Sequence, residues 1–89
     1  MKVLDFYAPW CGPCKKIEPV LARLAGELGV LMEKVNVEEN RPLFDSFGVR
    51  SVPTIILTNE EGEEVRRVTG SSNMSEKALR ELLSDGATL

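Results

Sequence analysis

The sequence predicts an α/β fold with a four-stranded mixed sheet and helices on both of its sides, in the order β-α-β-α-β-β-α. Apolar residues recur at helical spacing in residues 15–28, directly after an apolar, strand-like run at residues 3–8. Further along, two strand-like runs at residues 54–58 and 63–69 flank a glycine-containing turn, which is typical of a β-hairpin. A right-handed crossover makes the first two strands parallel, whereas the hairpin is antiparallel, so the sheet is mixed.

Local signals predict the remaining elements. Residues 30–37 form the second strand, and residues 40–47 form a short helix that Asn40 can cap. For the last helix, Asn73 and Glu76 suit a capping box. The apolar face of that helix comprises Ala78, Leu79, Leu82 and Leu83.

Length, charge and composition narrow the function. A chain of 89 residues is expected to form one domain, residues 1–89. The net charge of −3 offers no basic surface for nucleic acid, and no apolar run approaches the ~20 residues of a membrane span. We read no signal peptide and expect a cytoplasmic monomer. With no histidine and two cysteines, the chain lacks the four ligands of a structural zinc site and cannot form a catalytic Cys–His pair, so no metal site is expected.

The two cysteines lie in the segment Trp10-Cys11-Gly12-Pro13-Cys14, where the first strand leads into the long helix. A helix N-terminus presents unpaired N–H groups and positive dipole charge, which favour a thiolate. We therefore expect Cys11 to attack and the more buried Cys14, one turn later, to resolve the mixed disulfide. Gly12 allows a partner to approach closely, Pro13 suits the first turn, and Trp10 offers a flat apolar contact surface.

A permanent structural disulfide is the alternative interpretation of this cysteine pair. Chain-entropy arithmetic disfavours it, because a loop this small contributes only about 2 kcal/mol, against about 5 kcal/mol for a loop of 100 residues. Reversible exchange between a dithiol and a disulfide is the chemistry that the spacing supports.

The segment DFYAPWCGPCKKIEP, together with SVPT at residues 51–54, resembles the thioredoxin family. The resemblance extends from Val3 to about Leu83 and implies a thioredoxin-like three-layer sandwich. Full-length thioredoxins carry an additional strand and helix before the segment that corresponds to residues 3–8, whereas this chain begins at that strand. The fold implied is thus a minimal one that lacks the N-terminal strand and helix.

Two charged residues gain a role from this resemblance. Asp5 is a lone carboxylate in a buried strand, and the pattern alone leaves open whether it reaches solvent at a strand end or accepts a proton under the cysteines. The resemblance implies the second role, for which burial would raise the pKa of Asp5. Lys34 would by itself be interpreted as an edge or solvent-facing lysine, but the resemblance implies that it approaches Asp5.

The resemblance also implies a substrate-binding segment. Pro53 could be an ordinary trans proline at strand entry, but it matches the cis proline that faces the cysteines in thioredoxin-like folds. Cis geometry would expose the backbone of Val52 to an extended substrate strand. Gly70 could be a simple turn glycine, and the family uses a glycine here to let a substrate approach.

The function implied is that of a protein-disulfide reductase, active in electron transport and cell redox homeostasis, whose only redox group is the Cys11–Cys14 disulfide and which needs no cofactor. Its implied partners are thioredoxin reductase, or an equivalent flavoprotein donor, and disulfide-containing proteins. One alternative is a glutaredoxin-like reductase recharged by glutathione, suggested by the short fold. Another is a binding subunit that acts independently of its thiols. The Gly-Pro pair between the cysteines and the preceding Trp10 favour the first function.

Overall fold

The computed structural model describes residues 1–87 as seven helices and strands and one short 3-10 turn. The elements are β1 (Lys2–Tyr7), α1 (Gly12–Leu28), β2 (Leu31–Asn36), α2 (Arg41–Ser46), β3 (Thr54–Thr58), β4 (Glu64–Thr69), the 3-10 turn (Ser71–Asn73) and α3 (Glu76–Ala87). The strands form one sheet in the order β2-β1-β3-β4. β1 and β2 are parallel, and β3 is antiparallel to both β1 and β4, which confirms the predicted mixed sheet.

Apolar side chains cover both faces of the two central strands, so the molecule has three layers. Every residue of β3 is buried, as is expected for a strand that is covered on both sides. One face packs against α1 and α3 through a cluster that includes Val3, Leu21, Leu24, Ile55, Leu57, Leu79, Leu82 and Leu83. The other face packs against α2, where the ring of Phe6 meets those of Phe44 and Phe47 edge-on at centroid distances of 4.9 and 5.8 Å.

The helix termini differ in part from the predicted caps. Asn40 precedes α2 as expected, but its side chain forms no capping bond and instead donates to the Asn36 carbonyl at 3.2 Å. The capping box predicted to start at Asn73 is wrong, because Asn73 belongs to the 3-10 turn. Ser75 takes that place at α3, and its hydroxyl accepts the Ala78 N–H at 3.1 Å.

Four charged residues link α1 to α3 along their exposed sides. Arg23 contacts Glu27 at 3.1 Å on its own helix and Glu76 at 2.7 Å on α3. Arg80 of α3 contacts Glu76 at 3.3 Å and Glu27 at 3.4 Å. Because all four side chains are about half exposed, these ion pairs contribute little to stability individually.

β2 is an edge strand of the sheet, and its solvent-facing residues include Leu31, Glu33 and Lys34. Charged residues on an edge strand discourage pairing with another chain. Among residues 1–87, no helix has both the length and the apolar character that crossing a membrane requires.

Candidate active site

The two cysteines lie where β1 gives way to α1. Cys11 is the N-cap of α1, and Pro13 occupies the first turn. Cys11 and Cys14 form a disulfide with their Cα atoms 5.3 Å apart. The Cys11 sulfur accepts the Cys14 N–H at 3.2 Å, so it occupies the position of an N-capping oxygen. A backbone donor and the positive end of the helix dipole therefore both point at the sulfur that we expected to react.

The disulfide is almost wholly buried. The exposed fractions of Cys11 and Cys14 are 5% and 4%, so the expected difference in burial between the two sulfurs is very small in the oxidised form. Both cysteines pack with Ala8, and Tyr7 and Val52 border this cluster. Little of either cysteine is therefore accessible in the oxidised form.

Asp5 lies on β1, in the interior of the protein. Its side chain is 2% exposed, so the alternative of a strand-end carboxylate that reaches solvent is wrong. Oxygen Oδ2 is buried without a hydrogen-bond partner within residues 1–87. Burial, and secondarily the negative charge of Glu18, raise the pKa of Asp5 to about 6, against the opposing effect of the Lys34 ammonium. The carboxyl therefore exchanges its proton close to neutral pH.

Lys34 is the register partner of Asp5 on the neighbouring strand β2. Its ammonium binds Glu18 Oε2 at 2.7 Å and lies 4.6 Å from the centre of the Tyr7 ring. The hydrogen bond with Glu18 raises the pKa of Lys34. Lys34 is therefore a partly exposed edge residue, as the pattern alone favoured, and it is also a neighbour of Asp5.

Glu18 is the charged residue at this site that the sequence analysis missed. It lies on α1, four residues after Cys14, and this spacing places both side chains on one face of a helix. That spacing was the signal by which Glu18 could have been found. Its partner on β2, however, becomes apparent only once the sheet register is known.

The loop before β3 and the residue after β4 complete the site. The Val52–Pro53 peptide bond is cis, as the resemblance implied, and Pro53 is buried. Gly70 donates its N–H to the Pro53 carbonyl at 3.0 Å and has a φ of 87°, a conformation that favours glycine. The antiparallel pair β3–β4 thus brings Gly70 to the same loop as Val52 and Pro53.

A cleft of about 420 Å³ lies beside Trp10, the residue before Cys11, and reaches Val52, which borders the cysteine cluster. Trp10, which is 70% exposed, forms one wall, and Val52 contributes to another. The lining is otherwise a mixture of apolar and charged side chains, namely Val37, Arg41, Phe44, Asp45, Val49, Arg50 and Ser51. An exposed aromatic ring beside an open groove is typical of a surface that contacts another protein. The exposed Gly12 and Pro13 begin α1 and follow Trp10 closely in the chain.

Comparison with known proteins identifies this arrangement. The family model described as Thioredoxin matches residues 1–85. The chain belongs to the thioredoxin family. A thioredoxin from Bacillus subtilis is 42% identical over 82 residues, which cover 90% of this chain and 76% of that protein.

Solved thioredoxin structures are similar over almost the whole chain. A mutant thioredoxin from Halobacterium salinarum has 41% sequence identity and a TM-score of 0.87, covering 98% of this chain and 74% of that one. Thioredoxin 1 from Thermosipho africanus has 25% identity and a TM-score of 0.85, covering 99% of this chain and 96% of that one. Both similarities confirm the thioredoxin-like sandwich.

Within the thioredoxin family a cysteine pair of this spacing is the redox-active group, and this protein is a thiol–disulfide oxidoreductase of the protein-disulfide reductase type. The cysteine pair itself is the redox group, as is usual for thioredoxins, which hold no cofactor: the dithiol carries two electrons and the Cys11–Cys14 disulfide is its oxidised form. Within the described residues, no group of three or more His, Cys, Asp or Glu side chains is placed to hold a metal ion.

Proposed function

We propose that this protein reduces disulfides in other proteins by two successive exchanges, with Cys11 as the nucleophile and Cys14 as the resolving thiol. The observation that carries the proposal is the disulfide at the N-terminus of α1, with Cys11 Sγ facing the Cys14 N–H. In the first exchange the Cys11 thiolate bonds to one substrate sulfur and displaces the other as a thiolate. In the second, Cys14 attacks the Cys11 sulfur, which restores the internal disulfide and releases the reduced substrate.

The second exchange requires that Cys14 lose its proton. We assign Asp5 as the acceptor, because its carboxylate is buried, has an unpartnered oxygen and has a pKa of about 6. The positive charge of Lys34 opposes this rise in pKa and so modulates the affinity of Asp5 for a proton.

The substrate would lie in the cleft beside Trp10, as an extended strand that pairs with the backbone of Val52. Gly12 and Pro13, both exposed, leave room for it next to Cys11, and Pro53 and Gly70 hold the loop that it would contact. Membership of the thioredoxin family supports a flavoprotein thioredoxin reductase, or an equivalent donor, as the source of electrons. The proposal further holds that residues 1–89 act as one domain and a monomer in the cytoplasm, in electron transport and cell redox homeostasis.

The test is insulin reduction driven either by NADPH with thioredoxin reductase or by glutathione with glutathione reductase. We expect turnover with the first system, none for Cys11→Ser, and a stable mixed disulfide of Cys14→Ser with its substrate, detected by mass spectrometry. Turnover with glutathione alone would instead indicate the glutaredoxin-like alternative. A Cys11→Ser variant that still reduced insulin would refute the assignment of the nucleophile.

A further inference from the structure

Three ionisable side chains lie near one another where α1 packs against β1 and β2: Asp5 on β1, Lys34 on β2 and Glu18 on α1. Asp5 and Lys34 are register partners on adjacent parallel strands, so their side chains start on the same side of the sheet. A lysine beside a buried, unpaired carboxylate would ordinarily be expected to bind it. The Lys34 ammonium instead lies 2.7 Å from Glu18 Oε2, while Asp5 Oδ2 has no partner among the described residues.

We propose that Glu18 is a positioning residue for the proton transfer at Asp5: it holds the Lys34 ammonium against α1 and thereby keeps the buried carboxylate unpaired. The inference rests on the proposed role of Asp5 as the acceptor of the Cys14 proton. Tyr7 assists, because its ring lies under the same ammonium at 4.6 Å.

Glu18 acts on Asp5 in two ways, and both raise the pKa of the Asp5 carboxyl. Its own negative charge disfavours a second negative charge on Asp5 nearby. By binding the Lys34 ammonium it also prevents that cation from pairing directly with Asp5, where it would favour the negative charge more strongly than it does now. The other groups around Asp5 contribute less. Ile55 on β3, its register partner on the other side, is apolar, and α1 contributes in the reduced protein the buried thiol of Cys14, whose proton Asp5 is proposed to accept.

The alternative is that the Glu18–Lys34 ion pair only stabilises the fold, but its contribution to stability is small. The two side chains are 39% and 44% exposed, and ion pairs of that kind contribute about 0–1 kcal/mol to stability. If the pair is only structural, Glu18 acts on Asp5 through its own charge alone, whether or not Lys34 is present, so the two interpretations differ in a measurable quantity. That quantity is the pKa of the Asp5 carboxyl.

The experiment is an NMR titration of the carboxyl carbon of Asp5 in the oxidised protein, for the wild type and for Glu18→Gln. We expect the substitution to lower the pKa of Asp5 by roughly one pH unit, because it removes the negative charge and releases Lys34. The acidic limb of the pH–rate profile of insulin reduction should move down by the same amount. The matched control is Glu27→Gln, which breaks an ion pair with Arg23 on the same helix and should leave Asp5 unchanged.

Two further variants separate the two effects of Glu18. Lys34→Gln should move the pKa of Asp5 upward, because it removes the cation that lowers it. In the Lys34→Gln background, Glu18→Gln should lower that pKa by less than it does alone, since only the charge of Glu18 itself is then lost. Equal shifts in the two backgrounds would refute the claim that Glu18 acts by holding Lys34.

An Asp5 pKa that moves no further in Glu18→Gln than in Glu27→Gln overturns the proposal, whatever the activity. A shift in the pKa of Asp5 without a shift in the pH–rate profile also overturns it, because Glu18 would then have no effect on the proton transfer during the reaction. A wild-type protein that does not reduce insulin overturns the proposed function instead. The titration of Asp5 would still show in that case whether Glu18 controls this carboxyl.

Discussion

Replacement of Asp5 by asparagine is expected to stabilise the oxidised protein at neutral pH. The carboxyl is 2% exposed, its Oδ2 has no hydrogen-bond partner within residues 1–87, and burial raises its pKa from 3.8 to about 6. An ionised carboxylate in this place is therefore destabilising. Asparagine has nearly the same shape and carries no charge.

The size of this stabilisation follows from the pKa of Asp5 in the unfolded chain and its pKa in the folded protein. Between 3.8 and about 6 the folded protein holds a proton on Asp5 that the unfolded chain has already lost. The stability of the wild type therefore falls as the pH rises through this window and levels off above it. A difference of a little over two pH units, at about 1.4 kcal/mol each, gives a loss of about 3 kcal/mol that the asparagine variant does not suffer.

The assay is guanidinium unfolding of the oxidised wild type, Asp5→Asn and Asp45→Asn at a series of pH values. Asp45 is exposed, so its variant controls for the loss of one carboxylate. A constant offset between wild type and Asp5→Asn would reflect the fit of the amide group, and only the pH-dependent part reports ionisation. If the stability difference were the same below 3.8 as at neutral pH, the reasoning about Asp5 would be refuted.

Four other substitutions test the packing, the backbone and the contact surface. Phe44→Ala should lower the free energy of unfolding by about 3–5 kcal/mol, because the ring is 2% exposed and packs edge-on against Phe6. Gly26→Ala should raise it by about 1 kcal/mol, since the glycine is within α1 and a Cβ there meets nothing within 4 Å. Gly29→Ala should lower it by about 1 kcal/mol, because Gly29 has a φ of 69°. Trp10→Ala should leave stability nearly unchanged, as the ring is 70% exposed, but should raise the KM for insulin several-fold.

Chemical unfolding measures the first three variants, and steady-state kinetics measures the fourth. Each glycine variant serves as the control for the other, since both add one methyl group at the same end of α1. Shifts of the same sign in both would contradict the conformational argument. For Trp10→Ala, a small-molecule disulfide is the control substrate, and an equal loss with both substrates would show that the ring does not act through protein contact.

Periodicity and spacing were sufficient to predict the sheet, the helices and the cysteine pair. The apolar face of α1 and the buried run of β3 depend on local patterns, which is why they could be predicted without any knowledge of neighbours. The cap of α3 could not be predicted so securely. Asn73 and Ser75 are both good capping residues, and the choice depends on the 3-10 turn, in which the Asn73 side chain already donates to the Thr69 carbonyl at 2.9 Å.

The charged part of the candidate site depended on tertiary structure. Sequence alone could not decide between two positions for Asp5, because the answer depends on whether helices cover β1 on both faces. The resemblance to the family placed Lys34 beside Asp5 but did not reveal Glu18, which competes for the same ammonium from a different element. Competition between two partners for one cation is a property of the assembled fold, and no short pattern in the chain reports it.

The sulfur of Cys11 ends α1 as well as carrying the proposed chemistry, since it accepts the Cys14 N–H in the place where a serine oxygen commonly stands. Replacement of this sulfur by a serine oxygen would thus abolish disulfide exchange while preserving the cap of α1. A single substitution therefore separates an active reductase from an inactive protein with the same fold. Descendants of such a chain could therefore keep a docking role after losing their reactivity.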